Sequence, residues 1–572
     1  MIRTEEIRNV AIIGHSGEGK TTLTEAILFN AGAIDRQGKV DDGNTVSDFE
    51  QEEIARKTSI SLTASRCEYT DRKNRHVVFN LLDVPGFFDY DGERSEALAA
   101  ADNALIVTGA NGTLTVGTEK AIEYCLKHKI PSILFINGLD KDNANFVKTV
   151  HAIKEKYGNK IAPMIIPNMV DEKMKGFVKV AYGVLRDWER NEHPIPENLQ
   201  SDYEEARLAL CEAAAENDEE LLDKFFADGD LTGEEIERGV KLGVKACTTI
   251  TVLGGSALKN QGIFNLMDKM VSTMLSPADA KPQKAFDDGK EIEIRPDPNA
   301  PAVVRVFKTT VDPFVGRLNM FRVLNGTVKS GDTLIDGRTG ESQKISSIYY
   351  LRGKKQIPTD EIIAGDIGAF AKLGAVATGD ALSVSGKIVT PTIEMPSAEY
   401  AMAIGSAKKG EEDKVFAGLK KLQEEDVSFR IEKNPDTGEM LIVGLTADST
   451  SMLDLRTIAD WTIRPRLLST GGVAQVAVLG GDIKEYQIQL DPERMRHYGI
   501  SMGEVMAVTQ DMNLNANGGV LYEFGNEYIV RGVLSTSKTE QLGKAVVKTV
   551  NNFPVTLEDI ANVTIGPKAP KL

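Results

Sequence analysis

Short apolar runs alternate with helical patterns through the first third of the chain. The runs NVAIIG (9–14), HVVFNLL (76–82), ALIVTG (104–109) and SILFIN (132–137) each read as a buried strand. Between the last two lies GTEKAIEYCLKH (117–128), a helix pattern, and after them a helix is expected from Asn143. That helix sets Phe146, Val150, Ile153 and Tyr157 on one stripe and stops at Gly158. Strand and helix alternating at this spacing predict a mostly parallel sheet covered on both faces. In such sheets ligands sit beyond the carboxyl ends of the strands, which is where Lys20, Asp83 and Asn137 fall.

The pattern then changes. Residues 160–250 hold a short apolar stretch followed by acidic helices such as DYEEARLALCEAAAENDEELLDKFF, and read as a solvated helical insert. Pro, Asp and Lys dominate SPADAKPQKAFDDGK (276–290), which reads as a linker. Short strands broken by Gly turns from 300 to about 383 predict a small β-barrel. Residues 396–445 read as strand, helix, strand, strand, with Val415, Leu419 and Leu422 as a helical stripe. In the last 125 or so residues, VAQVAV and EYQIQL alternate around Gly480-Gly481-Asp482, as a hairpin or closely linked strands. DPERMRHYG is a short helix with Pro492 in its first turn and Gly499 at its end. Ser501 can cap the helix GEVMAVTQDMN, and EYIVRG supplies another strand, so this is an α+β unit.

At 572 residues the chain exceeds one core, and domains of about 150 residues imply three to five of them. A net charge of −17 argues against a broad electrostatic grip on nucleic acid, DNA included, while leaving room for a local patch on a ribonucleoprotein. The four cysteines (Cys67, Cys125, Cys211, Cys247) lie far apart without metal spacing, so a reduced, cytoplasmic compartment is expected. MIRTEEIRNV lacks the apolar region of a signal peptide, and no window approaches a membrane span. Nothing specifies an oligomeric state.

The chemistry concentrates in NVAIIGHSGEGKTTLTEAIL (9–28). Gly14-His15-Ser16-Gly17-Glu18-Gly19-Lys20-Thr21, followed by Thr22, match G-x-x-x-x-G-K-[ST] between a strand and a helix. Glycines let backbone N–H groups approach phosphate oxygens, Lys20 reaches the β- and γ-phosphates, and the Thr21 hydroxyl ligates Mg²⁺. The following helix points its positive end at the same anion. Downstream, in DVPGFFDY (83–90), Asp83 can reach the Mg²⁺ and the Gly86 N–H can bond a γ-phosphate.

GHSGEGKT, DFEQEEIARKTSI, DVPGFFDY, NGLDKDNA and GGSALKNQG occur in the order of the five nucleotide motifs of elongation factor G, and the chain resembles that family, nearest its bacterial elongation-factor-G-like paralogues. The resemblance implies GTP/GDP and Mg²⁺ as cofactors and the ribosome as a partner. It implies that Asn137 and Asp140 read guanine, that Gly255, Ser256 and Ala257 close over the base, and that Ser59 stands where the family supplies a Thr to Mg²⁺. Lys20 and Gly86 are then the catalytic candidates. Three departures stand out: Gly17 replaces an Asp of the phosphate loop, Gly138 the Lys of N-K-x-D, and Phe87 the water-positioning His. Losing such a group typically costs about 10²- to 10⁴-fold in rate, so slow hydrolysis is expected.

By the same resemblance, 1–278 is a P-loop GTPase domain with its insertion at about 160–250, 291–390 the β-barrel second domain, and 396–445 a truncated α+β third domain. After Gly444 the wording changes. RPRLLSTGGVAQVAVLGGDIKEYQIQLDPERM, YGIS and GNEYIVRG resemble the periplasmic porter and docking region of resistance–nodulation–division efflux transporters, nearest the heavy-metal branch, over 446–572. No metal ligand is carried over; Met495, Met502, Met506 and Met512 read as core or helix-face residues. GEMLIVGL, which fits either parent, reads as the bridge of a chimera between a cytosolic GTPase and an envelope transporter, with a genuine fusion as the alternative. The expected fold is therefore a multidomain α/β protein with a C-terminal α+β porter-like fragment. Its expected function is GTP binding with impaired or ribosome-dependent hydrolysis, without translocation, since the family's fourth and fifth domains are absent.

Overall fold

The structure, a computed structural model, describes residues 2–568 except 171–172, 190, 313–315, 375, 397–400, 407–410, 432–440, 443–449, 470–472, 513–515, 524–525, 533–535, 537 and 551–552. The chain forms two compact units, one of residues 1–397 with 418–429 and one of 398–417 with 430–572.

In the first unit, β1 (Ile7–Gly14) leads through the phosphate loop into α1 (Lys20–Asn30). A short helix α2 (Gln51–Arg56) precedes β2 (Thr63–Thr70), which pairs antiparallel with β3 (His76–Asp83). Helix α3 (Asp91–Ala100), β4 (Asn103–Gly109), α4 (Val116–His128), β5 (Ser132–Asn137) and α5 (Phe146–Tyr157) follow. β3, β1, β4 and β5 pair parallel, as the alternation implied. Phe146, Val150 and Ile153 are buried along α5. The helix starts at Phe146 rather than Asn143, because the Asn145 side chain accepts from Lys148 N and Asn143 takes φ 62°.

The insertion is more than helical. The short β6 (Ile161–Pro163) first extends the core sheet, and β7 (Ile165–Val170), β8 (Lys173–Lys179), β9 (Val184–Asp187) and β10 (Glu192–His193) build a separate antiparallel sheet. Only then come α6 (Gln200–Ala215), α7 (Glu219–Asp228) and α8 (Gly233–Ala246). β11 (Ile250–Gly254) returns to the core between β5 and β6, and α9 (Ile263–Thr273) closes the domain. The residues read as a linker likewise hold a hairpin, Gln283–Asp287 against Lys290–Ile294, turned by Asp288 (φ 50°) and Gly289 (φ 81°). That Asp-Gly pair favours a tight turn, and it outweighs the Pro-rich composition before it.

The β-barrel is present, with Val303–Asp312 and Gly316–Asn325 as its longest pair and Val304, Val306, Phe321, Val323 and Phe370 in its core. It is locked to the preceding α/β domain by buried ion pairs. Arg66 meets both oxygens of Asp366 at 2.8 Å, Arg322 meets Asp102 at 2.6 Å, and Lys308 meets Glu93 and Glu96 at 2.6 and 3.1 Å.

In the second unit, Ala401–Ser406 is the middle strand between Leu441–Ile442 and Val473–Leu479. A strand N-terminal to the proposed bridge thus pairs with one beyond it. Most of GEMLIVGL, Gly444 included, lies outside the described residues. Along the helix Glu412–Glu425, whose residues from 418 on belong to the first unit, the stripe is not buried: Leu422 is exposed and Val415 and Leu419 are half-buried. The two strands flanking Gly480-Gly481 do not form a hairpin. Val473–Leu479 pairs with Ala401–Ser406, whereas Lys484–Leu490 pairs with Ala561–Pro567. Pro492–Tyr498 ends at Gly499 in the left-handed region, and Ser501 caps Met502–Asp511. Ile500, Val505, Leu557 and Ile560 form a small core, and Met495 and Met512 pack against it, while Met502 and Met506 are exposed. Among the described residues no helix is long and apolar enough to cross a membrane.

Candidate nucleotide site

The phosphate loop leaves β1 where the backbone demands glycine. Gly14 has φ 140°, and a Cβ there would meet the Val107 carbonyl oxygen at 2.2 Å. Gly17 and Gly19 take φ 80° and 87°, the region that costs other residues strain. Lys20, buried at the start of α1, donates to the carbonyls of Gly14 (3.1 Å) and His15 (2.9 Å). Burial lowers its ammonium to about 8, although the Asp83, Glu18 and Asp48 carboxylates pull it upward. Gly86 lies against this group: a Cβ on Gly86 would stand 2.2 Å from Lys20 Nζ and 2.7 Å from Ser16 N. Gly86 and the phosphate loop therefore share one small space.

Beside Lys20 is a cluster of buried oxygens. Thr21 Oγ1 and Ser59 Oγ are 3.0 Å apart, and Ser59 donates to Asp48 Oδ1 at 2.7 Å. Both Asp83 oxygens, Asp48 Oδ2 and Ser47 Oγ are buried without a hydrogen-bond partner. Burial pushes Asp83 up to about 7, the Asp48 carboxylate adds to the rise, and the neighbouring Ser47 and Thr21 hydroxyls oppose it. Burial also raises Asp48. Partnerless buried carboxylate oxygens beside two hydroxyls are what a hard cation requires, so Thr21, Ser59, Asp83 and Asp48 fit Mg²⁺.

Asp48 and Ser47 were not among the sequence candidates. Asp48 opens the very stretch DFEQEEIARKTSI that gave Ser59, and it reaches the site because the chain folds back. Glu53 fixes that return by accepting from the N–H groups of Ile60 (3.0 Å) and Ser61 (3.3 Å).

The residues expected to read the base gather at the ends of β5 and β11. Asn137 donates to the Glu18 carbonyl and accepts from Ala257 N, both at 2.9 Å, tying the phosphate loop to the 255–257 turn. Leu139 N donates to the Gly255 carbonyl at 3.1 Å, and Ser256 Oγ accepts from Lys259 N at 3.0 Å. Asp140 is half-buried and Thr22 half-buried in the first turn of α1. Gly138 takes φ 79°, and a Cβ there would lie 3.3 Å from both Cδ and Cε of Lys141. The Lys141 stem thus occupies the space that a side chain at 138 would fill. Phe87 is 44% exposed, and the His15 and Phe88 rings stand 6.1 Å apart.

Residues 5–276 match the family model of the elongation factor Tu GTP binding domain, and residues 301–385 match elongation factor G domain 2. Residues 407–571 match the AcrB/AcrD/AcrF family. That match begins 39 residues before residue 446. Among solved structures, a crystal structure of a Thermus thermophilus protein is similar, with a TM-score of 0.67 and 25% sequence identity, covering 92% of this chain and 72% of that chain. That share exceeds the first 396 residues, so it includes part of the second unit. The N-terminal portion therefore carries translational-GTPase domains, and the C-terminal portion carries an efflux-transporter-family segment.

Proposed function

We propose that the chain is an elongation-factor-G-like GTPase that binds Mg²⁺–GTP in the cytoplasm and hydrolyses it slowly, or only when the ribosome stimulates it. The observation that carries this reading is the partnerless Asp83 carboxylate beside the Thr21 and Ser59 hydroxyls, with Gly86 against Lys20. Lys20 would exchange its two carbonyl partners for phosphate oxygens, regaining the opposite charge that burial denies it. The N–H groups of the phosphate loop and the positive end of α1 hold the same oxygens. Thr21, Ser59, Asp83 and Asp48 would hold Mg²⁺, which neutralises phosphate charge when bound. Gly86 N–H is the γ-phosphate contact. Phe87 offers no acid or base for the attacking water, which supports slow turnover and, as a second reading, a binding switch with negligible turnover.

Guanine recognition rests on Asp140, whose carboxylate can accept from N1–H and the exocyclic amine, a donor pair adenine lacks, with Asn137 and the 255–257 turn holding the pocket. Lys141 supplies the stem that Gly138 lacks. Lys141→Ala should therefore weaken GDP binding by about 3- to 10-fold, the effect of exposing a few methylenes' worth of ring; unchanged affinity in a fluorescent-nucleotide titration would remove Lys141 from the pocket. The 407–571 segment matches a transporter family in place of the elongation-factor domains that drive translocation, so translocation is not part of the proposed activity.

The decisive assay is GTP hydrolysis by the purified chain with and without ribosomes, beside Lys20→Ala. Turnover stimulated by ribosomes and abolished in the variant is the expected result. GTP binding without turnover under either condition would select the switch, and neither binding nor turnover would overturn both.

A further inference from the structure

A second cleft, of about 700 Å³, opens on the first unit where the β2–β3 turn, the inserted sheet, α8 and α9 meet. Such a volume suits a nucleotide-sized ligand. It is remote from the phosphate loop: the 71–75 turn precedes His76, and Asp83 lies at the other end of β3, roughly 23 Å away at 3.3 Å per residue.

In a chain of net charge −17, eight Lys and Arg line this cleft against four Asp and Glu. Three of the acids are already engaged: Asp71 with Arg75 (2.6 Å), Asp268 with Arg72 (3.0 Å) and Glu237 with Lys269 (2.6 Å). Arg186 and Arg238 pair with Glu192, Asp218 and Glu220 outside the lining, which leaves Lys73, Lys179 and Lys241, from three different elements, with no carboxylate within 4.0 Å among the described residues, against Glu234 alone. Lys179 ends β8, half-buried, and burial with the facing Arg186 and Arg72 charges lowers its ammonium. Arg186 engages Glu192 through Nη2 at 2.5 Å, but its Nε is buried without a partner. Beneath these cations lies an apolar floor of Met164, Ile165, Phe177 and Leu253. Lys179 and Arg186 are half-buried beside the exposed Arg72, and like charges held partly out of water cost free energy unless an anion joins them.

We propose that this cleft binds a small phosphate-bearing polyanion, with Lys179, Arg186 and Arg72 as the contacts to its phosphates and the apolar floor under any organic part. The site is independent of GTP binding and of the nucleotide-site reading above.

The test is calorimetric titration of tripolyphosphate, and separately of ATP, into the full chain carrying Lys20→Ala, which weakens the phosphate loop. Binding is expected for both, weakening steeply with added salt. ATP binding more tightly than tripolyphosphate would mean the floor holds the nucleoside; equal affinities would mean the phosphate chain alone is read. Adding Lys179→Gln should lower affinity about tenfold, the usual worth of one charge-assisted contact, and Arg186→Gln should do likewise. Lys179 has no carboxylate partner to lose, only the Tyr182 ring 5.5 Å from its ammonium, so Lys179→Gln should melt close to its parent. No binding, or binding that neither substitution changes, would overturn the proposal.

Discussion

Asp83→Asn should make the nucleotide-free protein more stable above neutral pH while weakening Mg²⁺-dependent GTP binding. Both Asp83 oxygens are buried without partners, and burial with the Asp48 charge raises its proton affinity to about 7. In the unfolded chain the same group titrates near 3.8. Between these values the folded state holds a proton that the unfolded state has released, so stability is present at acid pH and is lost as pH rises through about 7. Asn removes that loss. A gain of about 1–3 kcal/mol at pH 8, shrinking to nothing near pH 4, is expected from relieving one unpaired buried carboxylate. Chemical denaturation without Mg²⁺ or nucleotide reads it directly. Nucleotide affinity should move the other way, falling about 10- to 100-fold in Mg²⁺ and little in EDTA, as for loss of a group that orients a metal. A variant that is less stable at pH 8, or that binds equally in Mg²⁺, would remove Asp83 from the cation cluster.

The same cluster shows where the sequence speaks and where it falls silent. Gly14, Gly19 and Lys20 are legible because their spacing is local and each meets a backbone requirement of its own. Asp83 and Asn137 are legible because apolar runs end on them, and strand ends face the ligand. Asp48 is not, because only the return of the 44–62 segment, clamped by Glu53, brings it to Ser59. Lys141 escaped notice for a related reason. Its stem fills the space over Gly138 through a turn, closed by Lys141 N donating to the Gly138 carbonyl, rather than through matching position in a motif.

Strand pairing divides the same way. The Asp288-Gly289 turn specifies its hairpin locally, whereas the alternation of VAQVAV and EYQIQL says that each is a strand but not which partner it takes. Lys484–Leu490 finds its partner some seventy residues later, where burial decides the register and no short window records it. The inserted sheet failed to stand out because β8 buries Gly176, Phe177 and Val178 in succession, which breaks the period-two signal.

Lys308 carries the largest expected loss of stability. It projects from the barrel, fully buried, onto Glu93 and Glu96 of α3. Burial raises Glu96, Lys308 opposes that rise, and the Glu93 charge adds to it. Lys308→Ala strands two carboxylates and opens a cavity, so a loss of about 3–5 kcal/mol is expected. Lys308→Met separates the two causes, because it restores most of the volume and none of the charge. At pH 8 Met should be nearly as costly as Ala. Without Lys308 the folded-state affinity of Glu96 for a proton rises further above its unfolded value, so stability is present at acid pH and is lost as pH climbs from about 4.5 through that higher value. The deficit of the Met variant should therefore shrink on going from pH 8 to pH 5. Glu93→Gln and Glu96→Gln added to Lys308→Met should recover much of it at pH 8, since a neutral cluster has no charge to strand. The effect also reaches the nucleotide: Glu93 Oε2 accepts from Leu62 N, three residues after Ser59. Losing Lys308 frees that carboxylate, loosens the segment that carries Ser59, and should weaken Mg²⁺–GTP binding in the variant that remains folded. A Met variant as stable as the parent at pH 8 would show that packing, not charge, holds the barrel to the GTPase domain.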